Sequence, residues 1–461
     1  MAMAAHGRNK KRENGVEPKR AVPQYIRNER NERNENLLSK APPGHRFLLY
    51  FKGWDVGDKK RDALKEVCGI GDAAKGLLKA LCRRQADLAN GDRVLSIYAN
   101  TTSPVATGLG NPHAVENGFA FLSPYGVPYL PASGIKGVVR RAAEELALFD
   151  GGSPWTIPLV WALFGFEAGS AYLADASAYA DDVLKEEAGR WRRAFRAWLD
   201  DEADTDPLLS RWLLFAGKKG EEAPKPSHIL RSWQSEQKTR KDVHWQGMLR
   251  FWDAFPPESA ELDVDILNPH HKDYYNGNSA PHDSEPPKPV FFLVIKPGAS
   301  FRFIVEMKGR AGLAELVPDW RGLVRAAFER AFGWLGFGAK TAVGYGAMEI
   351  DREAEDRQKR EEEAREREAE KKRTLEKERR RKEELEALPE AERLKSMDAD
   401  NEGEAFANSK CYPKLDSLDG VEKIRLAEAL KDFYQRMGKW EGKQSNKQET
   451  KVQKIKQILG E

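Results

Sequence analysis

The chain has 461 residues, a formal net charge of +3 and 40% hydrophobic residues. That length is enough for two or three domains with sizeable cores, and so small a net charge excludes a global basic field, so any nucleic-acid site must be local. Cys68, Cys82 and Cys411 are odd in number and widely spaced, which excludes a disulfide framework and a zinc motif and points to a reducing compartment.

Residues 1 to about 40 are rich in Arg, Lys, Glu and Asn and read as a flexible, mildly basic arm with no apolar secretory h-region. From 41 to 350 the chain reads as globular. Arg46 to Phe51 and Val94 to Ala99 read as strands. Ser133 to Phe149 predicts a helix, with Ile135, Val138, Val139, Ala142, Ala143 and Leu146 on one face and Ser133 as N-cap. The longest apolar stretch, around Ile157 to Phe166, is too short to span a bilayer, so a soluble cytoplasmic protein with no membrane partner is expected.

Residues 176–240 read as an insertion with helical patches around Trp191, Phe195, Trp198 and Leu199. Leu249 to Trp252, Leu262 to Leu267, Val290 to Ile295 and Phe301 to Met307 read as strands. A helix from Asp319 to Phe332 and a short strand from Gly346 to Ile350 follow. This order predicts an α+β fold, a ferredoxin-like βαββαβ sandwich whose exposed sheet face can serve RNA. Residues 351–395 switch to Glu, Arg, Lys and Ala without an apolar seam, which predicts a long solvated helix. Residues 396–461 regain apolar positions and predict a small helical module.

Two segments suit phosphate. In the first, Gly336, Gly338, Gly344 and Gly346 surround Lys340. Glycines let backbone N–H groups face an anion, and lysine adds a point charge. A nucleotide P-loop is excluded, because Ala339 separates Gly338 from Lys340 and the segment follows a helix instead of preceding one. No cofactor is expected. An ordinary glycine turn with a solvated lysine remains the alternative. In the second segment, Ser133 and Gly134 open a helix whose first turn offers free N–H groups, with Lys136, Arg140 and Arg141 beside it. An ordinary capped amphipathic helix would read the same.

For catalysis, His113, His270, His271, Asp273, His282 and Asp283 are the candidate acid–base groups; their spacing matches no tight metal motif. Structural hydrogen bonding or RNA contact is the expected role of these loop histidines. Asp253 is expected to cap loop backbone at a strand end. No nucleophile elbow is present.

The strings VPYLPASGIKGVVR and GFGAKTAVGYG together resemble the RAMP superfamily of CRISPR proteins. More narrowly, ATGLGNPHAVENGF, LRFWDAFP, DILNPHHKDYYNG and PVFFLVIKPGASFRF resemble the family of sixth RAMP subunits of type III-B (Cmr) effector complexes. The resemblance covers about residues 95–350 and leaves out the insertion and the tail. It implies a ferredoxin-like, non-catalytic subunit of an antiviral ribonucleoprotein, holding guide RNA near its 3′ end beside target RNA and other RAMP subunits. Its implied RNA-binding positions are Gly336, Gly338, Lys340, Gly344 and Gly346, with Ser133, Gly134, Lys136 and Arg140, and His113 is added as a loop contact. The alternative is a RAMP-type, metal-independent endoribonuclease that processes CRISPR RNA, with His113 or His270 and His271 as acid or base.

Overall fold

The computed structural model describes residues 40–51, 60–113, 117–174, 181–215, 224–268, 280, 289–309, 315, 317, 319–441 and 445–461. The predicted arm lies outside the described residues, except for Lys40. The chain divides into two compact units, Met1–Glu355 and Asp356–Glu461.

The first unit is α+β and is built on a four-stranded antiparallel sheet. Its strands are β1 (Val94–Thr101), β4 (Leu249–Phe251), β7 (Ser300–Met307) and β8 (Met348–Ile350), in the order β4-β7-β1-β8. Burial alternates along β1, so Leu95, Ile97, Ala99 and Thr101 face the core. Across the register, Ile97 sits opposite Phe303 and Thr101 opposite Met348. This period of two is what lets one face bury while Ser96, Tyr98 and Arg302 stay part-exposed on the other.

Two helices cover the buried face. Ile135, Val139, Ala142 and Ala143 of α4 (Ala132–Phe149) and Leu323, Val324, Ala327 and Phe328 of α10 (Trp320–Arg330) join the same core. Each fully buried Ile, Val, Leu or Phe there contributes roughly 1.5–3 kcal/mol. Asp319 caps α10 by accepting from the Gly322 amide at 3.1 Å. Two short sheets complete the strand set among the described residues, β2 (Phe121–Leu122) with β3 (Val127–Pro128), and β5 (Leu262–Leu267) with β6 (Val290–Ile295).

Before the sheet come α1 (Pro43–Leu48), α2 (Lys60–Cys68) and α3 (Asp72–Leu88). The strand expected at Arg46 to Phe51 is instead helix α1 and the turn after it. Pro43 supplies the preset φ of a first helical turn; Phe47 is buried from the helix and Phe51 from the chain beyond the turn.

The aromatic-rich middle adds α5 (Ile157–Phe164), α6 (Asp182–Asp201), α7 (Pro207–Phe215), α8 (Pro226–Ser235) and α9 (Gln237–Lys241). Trp161 of α5 lies 5.0 Å from Trp212 and 6.1 Å from Trp233, centroid to centroid, so these helices share the main core.

The second unit begins within α11 (Arg352–Ala387), a charged helix without an apolar stripe. It continues through α12 (Glu390–Ser396), α13 (Asn401–Phe406), α14 (Gly420–Arg436) and α15 (Asn446–Leu459). Leu394, Leu415, Leu426, Leu430, Phe433, Tyr434, Val452 and Ile455 form its own core.

Candidate nucleic-acid interface

The glycine loop leaves α10 through a π-helical turn, Ala331–Leu335, closed by the Gly336 amide donating to the Ala331 carbonyl at 2.9 Å. Such turns recur at functional sites. Gly336, Gly338, Gly344 and Gly346 all have positive φ. Their physical tasks divide. A Cβ on Gly338 would meet the Ala106 carbonyl oxygen at 2.2 Å, and one on Gly346 the Phe337 oxygen at 2.0 Å. These two glycines let the loop lie against its own fold. Gly344 faces open space and serves the turn itself.

Several loop amides are used inside the protein. Ala339 donates to Ala106 O at 2.6 Å, Gly346 to Pro104 O at 2.9 Å and Phe337 to Gly346 O at 2.9 Å. Val343 and Gly344 close a 3₁₀ turn onto Lys340 and Thr341. The amides of Gly338, Lys340, Thr341 and Ala342 make no hydrogen bond among the described residues. The amides left without a partner among the described residues are therefore those of 338 and 340–342, a narrower set than the glycine pattern implies. Thr341 and Ala342 were not legible as candidates, because their letters carry no glycine signal.

Lys340 is the only non-glycine residue with positive φ (59°) among the described residues. A left-handed lysine costs roughly 1–2 kcal/mol and persists where surrounding contacts over-determine it. Its ammonium lies 5.2 Å from the Phe292 ring centroid. Tyr345 fixes the far side of the loop: its hydroxyl donates to Asp265 Oδ2 at 2.7 Å. Burial, with Asp265 adding to it, pushes that phenol up to about 12.

The start of α4 corrects one expectation. Ser133 is not the N-cap; Pro131 occupies that position and makes no side-chain cap. Asp253, just past β4, accepts from the Ala132 amide at 2.7 Å, so a carboxylate from across the fold caps this helix. Ser133 and Gly134 remain exposed, and nothing lies within 4 Å of a Cβ built on Gly134. Lys136 is half-buried; burial first, and then Arg140, lowers its pKa. It has no ion pair among the described residues.

Arg140 departs from the expectation of a cation offered to phosphate. Its Nε donates to Glu144 Oε1 at 3.0 Å, a second nitrogen stands 3.4 Å from Glu167, and a third donates to Ser170 at 3.3 Å. Glu144 also lies beside the Tyr172 hydroxyl, which in turn accepts from the Trp161 indole at 3.0 Å. Burial raises the Glu144 pKa, opposed by Arg140. The i,i+4 spacing with Lys136 reads as one cationic face from sequence; Glu144, four residues further on, turns the guanidinium inward.

His113 is held by aromatic packing. Its ring stacks on Phe47 at 3.7 Å with an interplanar angle of 6°, meets Phe51 edge-on at 5.1 Å, and Nε2 lies 2.9 Å from the Phe47 carbonyl. His270, His271, Asp273, His282 and Asp283 lie outside the described residues. Among the described residues, no group of three or more His, Cys, Asp or Glu side chains could hold a metal ion, and no helix is long and apolar enough to cross a membrane.

The structure thus gathers Gly336, Gly338, Lys340, Gly344 and Gly346 on one loop, and Ser133, Gly134 and Lys136 on one helical turn. The π-helical turn that delivers the loop packs on α4. Arg140 and His113 are occupied in contacts of their own.

A model of the RAMP superfamily matches residues 98–185 and 188–349, more than half of the chain and nearly all of the sheet and its helices. The chain belongs to the RAMP superfamily. It is similar to the CRISPR system Cmr subunit Cmr6 of Pyrococcus furiosus, 27% identical over 283 residues that cover 59% of this chain and 72% of that protein. It is also similar to the Cmr6 subunit of Saccharolobus solfataricus, 33% identical over 133 residues. That match spans 27% of this chain and less than half, 42%, of the relative. Among solved structures, the crystal structure of Cmr6 from Pyrococcus furiosus is 24% identical with a TM-score of 0.27, over 56% of this chain and 97% of that one. A chain of the type III-B Cmr-beta complex bound to cognate target RNA is 17% identical with a TM-score of 0.36, over 71% of this chain and 84% of that one.

Proposed function

We propose that this RAMP protein is an RNA-binding, non-catalytic subunit of a type III-B CRISPR effector complex. In this role it holds guide RNA near its 3′ end, beside target RNA and other RAMP subunits. The observation that carries this is the 27% identity to Cmr6 over 72% of that subunit's length. The RNA-facing groups are the free amides of Gly338, Lys340, Thr341 and Ala342 with the Lys340 ammonium, and the exposed turn of Ser133, Gly134 and Lys136. Amides and ammonium groups address the RNA backbone and leave base reading to the guide. In the sheet order β8-β1-β7-β4, with α4 and α10 as crossovers, we read the 4-1-3-2 order of a ferredoxin-like module. The acid–base alternative draws no support from His113, whose ring is stacked and bonded within the fold.

All of these groups lie in residues 41–350, which form the RAMP domain, and the charged helix and helical module beyond it serve protein contact or added RNA affinity. The test is co-purification of the full chain from its native cell. Guide RNA and other RAMP subunits should come with it. Recovery of the chain without RNA or partner subunits would refute the proposal.

A further inference from the structure

Trp334 is the most exposed large apolar side chain among the described residues, at 76%. Trp155, Trp161, Trp191 and Trp212 are sealed in the core of the same unit. A single exposed apolar side chain is ordinary by itself; what sets Trp334 apart is a large aromatic face held in place beside a loop with free amides. Trp334 sits in the π-helical turn, two residues before Gly336. Its position is set from one side: the Arg330 guanidinium lies 5.1 Å from the ring centroid and is itself fixed by two hydrogen bonds to Glu145 Oε2, at 3.2 and 3.1 Å. The ring is therefore fixed on one side and accessible to solvent. The free amide of Gly338 follows four residues later, at most about 14 Å along the chain.

We infer that Trp334 is a stacking platform for a nucleobase of single-stranded RNA whose backbone lies on the glycine loop. This rests on the proposed RNA-binding function and adds a contact of a different kind. Amides and Lys340 meet phosphate; an indole meets the π-face that every base has, so affinity increases without sequence being read. The polar groups near the ring favour RNA over an apolar protein partner: Arg330 is already paired with Glu145, but Lys340 has no ion pair among the described residues, and the four neighbouring amides are hydrogen-bond donors open to phosphate.

The test uses the purified full chain and a fluorescently labelled single-stranded RNA oligonucleotide, titrated at several salt concentrations. Trp334→Ala should weaken binding about 5- to 150-fold at every salt concentration. The slope of affinity against salt should stay unchanged, because no cation is lost. Trp334→Phe should recover most of the loss. If wild type binds RNA and Trp334→Ala binds equally well, the stacking inference is overturned while the phosphate reading stands. If wild type binds no RNA, both are overturned. Loss of co-purifying protein subunits with RNA affinity unchanged would assign Trp334 to a protein contact and also overturn it.

Discussion

The carboxylate of Asp253 accepts a hydrogen bond from the amide of Ala132 at 2.7 Å, joining the end of β4 to the first turn of α4 across 121 residues of sequence. One negative charge thus sits at the positive end of the helix, beside the exposed amides of Ser133 and Gly134. Asp253→Ala should cost about 0.5–2 kcal/mol, as removal of a helix cap does, and Asp253→Asn should recover much of it. Urea denaturation of the three proteins checks this; equal midpoints would remove the capping role.

Glycine substitutions should separate close packing from open backbone. Gly338→Ala and Gly346→Ala would place a Cβ within 2.2 Å and 2.0 Å of carbonyl oxygens, at positive φ in both cases. Both should destabilise the first unit clearly. Gly344→Ala, strained but unobstructed, should cost about 1–2 kcal/mol. Gly134→Ala, in open space on a helix, should stabilise by about 0.5–1 kcal/mol. Thermal melting of the four variants should reproduce that order.

His113 makes the first unit sensitive to acid. Burial lowers its pKa, only partly opposed by the hydrogen bond to the Phe47 carbonyl. A histidine that titrates lower in the folded than in the unfolded chain binds fewer protons when folded. Its contribution is complete above the unfolded value of about 6.5 and is lost as pH falls from there through the folded value. Wild type should therefore lose stability relative to His113→Gln as pH falls below about 6.5. A pH-independent difference between the two would contradict this.

Lys136 and Arg140 should behave differently despite their helical spacing. Arg140→Ala leaves Glu144 buried without its cation and should cost about 3–5 kcal/mol. Lys136→Ala removes a half-buried cation without an ion pair among the described residues and should leave stability nearly unchanged while weakening RNA binding. Chemical denaturation beside RNA titration distinguishes them; similar denaturation midpoints for the two variants would contradict the assignment.

Much of this organisation was legible in the sequence because it follows from periodicity. The alternation of β1 and β7 and the 3.6-residue stripe of α4 identify the sheet and its cover directly. The run from Arg46 to Phe51 was misread because a short, largely apolar segment fits strand and helix alike, and only Pro43 ahead of it favours helix. The glycine loop was visible as a loop, but which of its amides are free depends on Pro104 and Ala106, more than 200 residues upstream. Likewise the sequence places only Glu144 within helical reach of Arg140; Glu167 and Ser170, which complete its pairing, are brought beside it by the turn after α5. Capping by Asp253 was legible as a role but not as a partner, because hydrogen bonds across the fold leave no spacing in the sequence.

The measurement that bears most directly on the proposed function is RNA retention by the full chain as salt is raised, for wild type and for Lys340→Ala combined with Lys136→Ala. Two phosphate-facing cations should contribute about 1.4 to the slope of log affinity against log salt for a single strand. The double variant should bind more weakly at low salt and show a slope shallower by about that amount. Retention and slope equal to wild type would contradict the assignment of the glycine loop and the α4 turn to the RNA backbone.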